Sequence, residues 1–138
     1  MKAVLLDTGV IVALLDRSER FHERCREVVG SISVPLVTCE AVIAESCYLL
    51  RSLPGAAEAV VQNVVTGTFQ VPFRLSSSAT GARRILHKYR DRRIDFADAC
   101  LICLAAELGT GEILTLDRDF EVYRWGRDTR FHLLVPLV

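Results

Sequence analysis

The sequence has no net charge, because 17 lysines and arginines balance 17 aspartates and glutamates. A protein that coats nucleic acid without regard to sequence is usually strongly basic, so any nucleic acid held here has to meet a local patch. Long apolar runs are also missing. Charge, glycine or proline interrupts each one before the roughly 18 residues of a membrane-spanning helix, so no membrane partner is expected. Residues 3–15 are the nearest approach to a leader. Asp7 breaks that run and no small-residue cleavage site follows, which makes the cytoplasm the expected location. The five cysteines, Cys25, Cys39, Cys47, Cys100 and Cys103, are odd in number and scattered. They form no disulfide framework and fit a reducing compartment. Cys100 and Cys103 make a C-x-x-C, but no second pair completes a zinc site, and two small core residues are the simpler reading. The three histidines, His22, His87 and His132, lack metal-ligand spacing. Repeats and low-complexity linkers are absent, and one domain, 1–138, is expected.

What the chain does have is a 51% hydrophobic composition, enough to fill a core and exclude disorder. Short β-like runs alternate with longer helical ones. Strands are expected at 3–6, 34–38, 69–73, 112–116 and 131–135, with Pro72 placing the third at an edge. Helices are expected at 10–15, 19–29 behind a Ser18 cap, 41–52 up to Pro54-Gly55, 56–65, from Ser76–Ser78 to about 89, and 98–108 up to Gly109. This alternation implies an α/β fold with a central, mostly parallel sheet covered on both faces. The run from Ala99 to Ala106 leaves no polar face, so that helix is enclosed on most sides. Phe120, Tyr123, Trp125 and Phe131 read as C-terminal core.

The informative residues are acids in apolar surroundings. Asp7 ends Val4-Leu5-Leu6, and Asp117 ends Ile113-Leu114-Thr115-Leu116. Asp98 opens the all-apolar helix, and Glu45 sits between Ala41–Ala44 and Cys47–Leu50. Singly, each has an ordinary reading: a turn residue for Asp7 and Asp117, a dipole complement for Asp98, a solvated helix residue for Glu45. Together, four acids beside the most apolar runs call for a shared partner, because a buried carboxylate either takes up a proton or needs a cation. In open α/β sheets ligands bind beyond the carboxyl ends of the strands, where Asp7 and Asp117 are expected. Carboxylate oxygens, with no histidine or cysteine among them, select Mg2+ or Mn2+ over zinc. Neighbouring acids fit structural roles. Asp95 stands three residues before Asp98 as an N-cap, Asp119 as a cap for a helix beginning at Phe120, and Asp16 in a turn with Ser18. Glu40 lies about 140° around a helix from Glu45 and complements the dipole at the helix start.

The order Leu6-Asp7-Thr8, Ala44-Glu45 before Tyr48-Leu49-Leu50, Phe96-Ala97-Asp98-Ala99 and Thr115-Leu116-Asp117-Arg118-Asp119-Phe120 resembles a PIN domain. It is most similar to the VapC toxins of bacterial toxin–antitoxin pairs. The resemblance covers essentially the whole chain and implies a Rossmann-like three-layer α/β/α sandwich. It also implies an endoribonuclease dependent on Mg2+ or Mn2+, with Asp7, Glu45, Asp98 and Asp117 as the four acids. On this reading Asp7, Asp98 and Asp117 hold the main metal, and Glu45 holds a second metal or the attacking water. Thr8, Thr115 and Asp119 match supporting positions. Implied partners are an RNA substrate, a VapB-like antitoxin and a second copy in a homodimer, with helices 19–29 and 41–52 at the protein interfaces. A housekeeping PIN nuclease and a non-catalytic PIN-like binding module are the alternatives. A phosphatase or receiver reading is weaker, since Thr8-Gly9 follows Asp7 with no second acid two positions on.

One basic cluster stands just before Asp98: Arg83, Arg84, His87, Lys88, Arg90, Arg92 and Arg93, opposed only by Asp91. It reads either as a phosphate-binding rim or as a solvated helix face.

Overall fold

The computed structural model describes residues 2–137. Strand β1 (Val4–Leu6) lies at the middle of a five-stranded sheet with β2 (Leu36–Val37), β3 (Phe69–Gln70), β4 (Glu112–Leu114) and β7 (His132–Leu133), in the order β3-β2-β1-β4-β7. Every pairing in it is parallel. Val4, Leu5 and Leu6 are all fully buried, as a strand covered on both faces requires, and this explains their unbroken apolar run. Leu5 pairs with Val37 on one side and Ile113 on the other. The chain therefore builds outward from β1 through β2 to β3, then returns to add β4 and β7 on the opposite flank. That reversal places a topological switch point between β1 and β4.

The helices are α1 (Thr8–Leu15), α2 (His22–Gly30), α3 (Glu40–Leu49), α4 (Ala56–Val65), α5 (Leu75–Lys88) and α6 (Phe96–Leu108). Together with the sheet they make the expected three-layer α/β/α arrangement. Helix α6 is buried continuously from Ala97 to Ala105. Asp95 caps its start, accepting the Asp98 N–H at 2.8 Å. Gly109 ends it at φ +67°, the left-handed conformation in which glycine carries no steric penalty. None of the helices is long and apolar enough to cross a membrane, among the described residues.

Several local boundaries differ from expectation. Helix α2 starts at His22 without a side-chain cap, because Ser18 is engaged elsewhere. Its N–H and hydroxyl both donate to Asp16 Oδ1, at 3.0 and 2.6 Å, closing a turn that competes with the helix. Gly30 belongs to α2 rather than ending it. Helix α5 begins at Leu75, ahead of Ser76–Ser78, with Arg74 at its uncapped N-terminus. Asp119 is not the cap of the turn near Phe120. Asp117 is, accepting the Asp119 N–H at 2.9 Å, and the short 3-10 turn runs Arg118–Glu121.

An antiparallel hairpin of β5 (Arg124–Trp125) and β6 (Thr129–Arg130) was not expected. Its strands are too short for alternation to register, and Gly126 and Asp128 carry its positive φ angles. The aromatic core of this region is otherwise as expected. Phe120 packs edge-on against Tyr123 and Phe131, with centroids 5.1 and 5.2 Å apart. Trp125 is only half-buried, its Nε1 donating to the Arg130 carbonyl at 3.2 Å.

Candidate active site

Asp7 and the Thr115–Asp117 segment both follow strands that flank the switch point, and a hydrogen-bond chain ties them together. The Asp7 N–H donates to the Leu114 carbonyl at 3.0 Å, continuing the β1–β4 ladder one step beyond the strands. The carboxylate of Asp7 then serves two donors. Its Oδ1 accepts the Thr8 N–H at 2.8 Å, so Asp7 is also the N-cap of α1. Its Oδ2 accepts the Thr115 hydroxyl at 2.7 Å. Thr115 Oγ1 in turn accepts the Asp117 N–H at 3.0 Å, fixing the direction in which the chain leaves β4. Thr38 braces the same strand end, its hydroxyl donating to the Leu6 carbonyl at 2.7 Å. Thr8 contributes its N–H. Its hydroxyl is buried with no hydrogen-bond partner.

Asp98 enters from the first turn of α6, 6% exposed like Asp7. Half-buried Glu45 approaches from α3. These groups share an electrostatic field. Burial pushes the Asp7 carboxyl up from 3.8 to about 6, against the pull of its two hydrogen bonds, and the charges of Asp117 and Asp95 add to the rise. Burial likewise carries Asp98 to about 9, reinforced by Asp7, Asp95, Asp117 and Glu45. Asp117 is raised too, first by burial, with the Arg92 guanidinium pulling the other way. Burial and neighbouring acids raise Asp7, Asp98 and Asp117 at the carboxyl edge of the sheet, and a divalent cation complements carboxyls crowded in this way.

The donor set fits a hard cation: carboxylate oxygens, with the orphaned Thr8 hydroxyl beside them. Among the described residues, however, no three of His, Cys, Asp or Glu stand close enough to enclose an ion. The acids share a field without sharing a closed coordination shell.

Asp95 has a larger part than its capping role suggested, since its charge reaches Asp7, Asp98 and Asp117. The signal available in the sequence was its position one turn from Asp98. Tyr123 was assigned only to the core. Burial raises its hydroxyl, and the charges of Asp98, Asp119, Asp117 and Asp95 add to the rise. The supporting Asp119 meets the basic cluster: Arg92 donates to its Oδ1 at 3.2 Å. The other cationic residues are spread apart. Arg83, Arg84 and His87 line a separate cleft with Thr80. Lys88 lies over the Tyr89 ring, and Arg90 donates to the His87 carbonyl. Arg93 turns the chain at φ +54°.

The family model of the PIN domain matches residues 4–126 of this chain. Ribonuclease VapC26 of Mycobacterium tuberculosis is 34% identical over 117 residues, covering 83% of this chain and 87% of that protein. The crystal structure of Mycobacterium tuberculosis VapC20, described as a Sarcin-Ricin loop cleaving toxin, superposes with a TM-score of 0.77. That alignment covers 86% of this chain and 93% of the other at 21% identity, which bears on the fold. The chain belongs to the PIN-domain family and, within it, stands with the VapC ribonucleases.

Proposed function

We propose that this chain is an endoribonuclease that uses Mg2+ or Mn2+ to hydrolyse RNA phosphodiester bonds, and that it is the toxin of a toxin–antitoxin pair. One observation carries the reading. Asp7 after β1 and Asp117 after β4 flank the switch point and are tied together through Thr115, with Asp98 buried in the first turn of α6 and Glu45 on α3. On this proposal Asp7, Asp98 and Asp117 hold the cation, and Glu45 holds a second one or orients water. When bound, a divalent cation supplies positive charge to the phosphate and makes a water easier to deprotonate.

The chain's own groups prepare the site. The Thr8 N–H and the Thr115 hydroxyl fix both oxygens of Asp7, so its carboxylate cannot rotate away. The Thr115–Asp117 bond holds the backbone that presents Asp117. Arg92, tethered through Asp119, adds a cation at the rim for the RNA backbone. Arg83, Arg84, Lys88, Arg90 and Arg93, exposed on α5 and the turn after it, offer further and more scattered contacts to the RNA backbone. A VapB-like antitoxin or a second copy of the chain fits the exposed apolar residues of α3 and α4: Tyr48, Leu49, Val61 and Val65. On helix α2, Cys25, Val28 and Val29 pack against the core.

The test is cleavage of a mixed RNA pool by purified, antitoxin-free protein with Mg2+, with Mn2+ and with excess chelator, beside Asp98→Asn. Metal-dependent cutting that the variant lacks is the expected result. Intact RNA under every metal condition, from protein shown to be folded, would replace the nuclease with a binding module.

A further inference from the structure

A cleft of about 650 Å3 opens between α3, α5 and α6. It lies within the range of small-molecule sites, about 300–1,000 Å3. None of Asp7, Glu45, Asp98 and Asp117 lines it, but it opens at the same carboxyl edge of the sheet, where Cys39 and Glu40 follow β2 and Val71 and Phe73 follow β3. Ala41 and Ala44 line it from α3, and Glu45 stands four residues from Ala41, one turn along the same helix face. Phe96 and Cys100 line it from α6, one turn apart on a face that Asp98, two residues from each, does not share. A second cleft of similar size, near Arg17, Arg20 and Arg26, lies at the end of α1 away from Asp7.

Three features of the nearer cleft are unused by the fold. Phe96 is 44% exposed although its helix is the most deeply buried in the protein, and its ring has no aromatic partner among the described residues. Arg74 lines the cleft, is exposed, and forms no ion pair among the described residues. Helices α3 and α5 both begin there, and neither has a side-chain cap on its first N–H groups. Glu40 supplies a carboxylate at the opposite wall. An exposed aromatic face, a free guanidinium and a carboxylate around one cleft match the three parts of an unpaired nucleotide: base plane, phosphate and base edge.

We propose that this cleft is a nucleotide subsite of the RNA path, seating one unstacked base of the substrate. Phe96 stacks on the base. Arg74 and the uncapped start of α5 take a phosphate. Glu40 repels phosphate, so it faces the base edge and accepts hydrogen bonds from it. A base presenting N–H donors is therefore preferred, guanine most of all, because it offers two adjacent donors on its Watson–Crick edge. The inference rests on the ribonuclease reading and makes Phe96, Arg74 and Glu40 specificity residues of that reaction.

The experiment measures binding of fluorescent single-stranded pentaribonucleotides, differing only in the central base, to the whole protein in excess chelator, so that nothing is cut. Phe96→Tyr is expected to bind as the unaltered protein does. Phe96→Leu, which keeps apolar bulk but loses the aromatic face, is expected to bind about 10-fold more weakly. Arg74→Ala should weaken all oligonucleotides and reduce the slope of log affinity against log salt by about 0.7. Glu40→Gln should erase the guanine preference with little change for uracil. Unchanged binding in Phe96→Leu and Arg74→Ala, with folding confirmed by circular dichroism, would overturn the subsite. A parallel assay of cleavage with metal separates the two ideas. Loss of cutting by the unaltered protein defeats the nuclease reading, while the chelator arm still decides the subsite.

Discussion

Replacing Asp98 by asparagine should make the metal-free protein more stable while abolishing its activity. Asp98 is 6% exposed, and its carboxyl is pushed from 3.8 to about 9 by burial and by the charges of Asp7, Asp95, Asp117 and Glu45. The unfolded chain releases this proton near 3.8, whereas the folded chain keeps it to about 9. The stability contribution is therefore fully present below 3.8 and declines as pH rises toward about 9. At pH 8 the loss would be about 6 kcal/mol if Asp98 acted alone in a rigid, dry site. Neighbouring acids share the charge and water reaches the site mouth, so a loss of about 2–3 kcal/mol is expected.

Asparagine keeps the shape and removes the charge. In chelator at pH 8, Asp98→Asn should gain about 2–3 kcal/mol, raising Tm by about 5–10 °C. At pH 4 the two proteins should differ little. Added Mn2+ should stabilise the unaltered protein more than the variant, because a cation binds the folded site and not the unfolded chain. The assay is denaturant unfolding from pH 4 to 9, followed by fluorescence of the single tryptophan, Trp125. A variant no more stable at pH 8, with an unchanged pH slope, would refute the idea that these acids strain one another.

Asp7→Asn should lose metal-dependent cleavage by at least about 100-fold, and Asp7→Ala should additionally lose about 1 kcal/mol in thermal unfolding, since it removes the cap of α1. Thr115→Val should cost about 1–3 kcal/mol of stability and reduce turnover, because it deprives Asp7 and the Asp117 N–H of their common partner. Arg92→Ala should leave the fold intact and weaken RNA binding, with the loss shrinking as salt rises. Gly111→Ala should destabilise by about 1–3 kcal/mol and shift the tryptophan emission, since an added Cβ would sit 2.1 Å from Trp125 Nε1.

Most of the sheet was legible because its strands sit in short, largely apolar runs bounded by polar or turn-forming residues. Val4-Leu5-Leu6 before Asp7 announces both a buried strand and its end. Asp7 and Asp98 stood out for the same reason, as acids whose surroundings exclude water. Local competition among polar side chains was not legible. Ser18 and Ser76–Ser78 look like caps, yet Ser18 is drawn to Asp16 and α5 starts without a serine cap. Likewise Asp117 and Asp119 are equally good caps on paper. The bond from the Asp117 N–H to Thr115 fixes the turn that makes Asp117 the one used. The β5–β6 hairpin was hidden because two-residue strands carry no period. The cleft at Arg74 and Phe96 depends on three helices meeting, which residue spacing within any single one does not encode.

The double service of Asp7 also orders how such a protein can decay. Asp98 supplies charge to a site that would fold more comfortably without it, so its loss relieves the scaffold. Asp7 starts α1 and is bonded to the exit of β4, so its loss injures the scaffold itself. A descendant released from selection for cleavage would then be free to discard the acid on α6 early and would keep the one after β1. A first aspartate retained in a sequence lacking the third marks a fold that has outlived its chemistry.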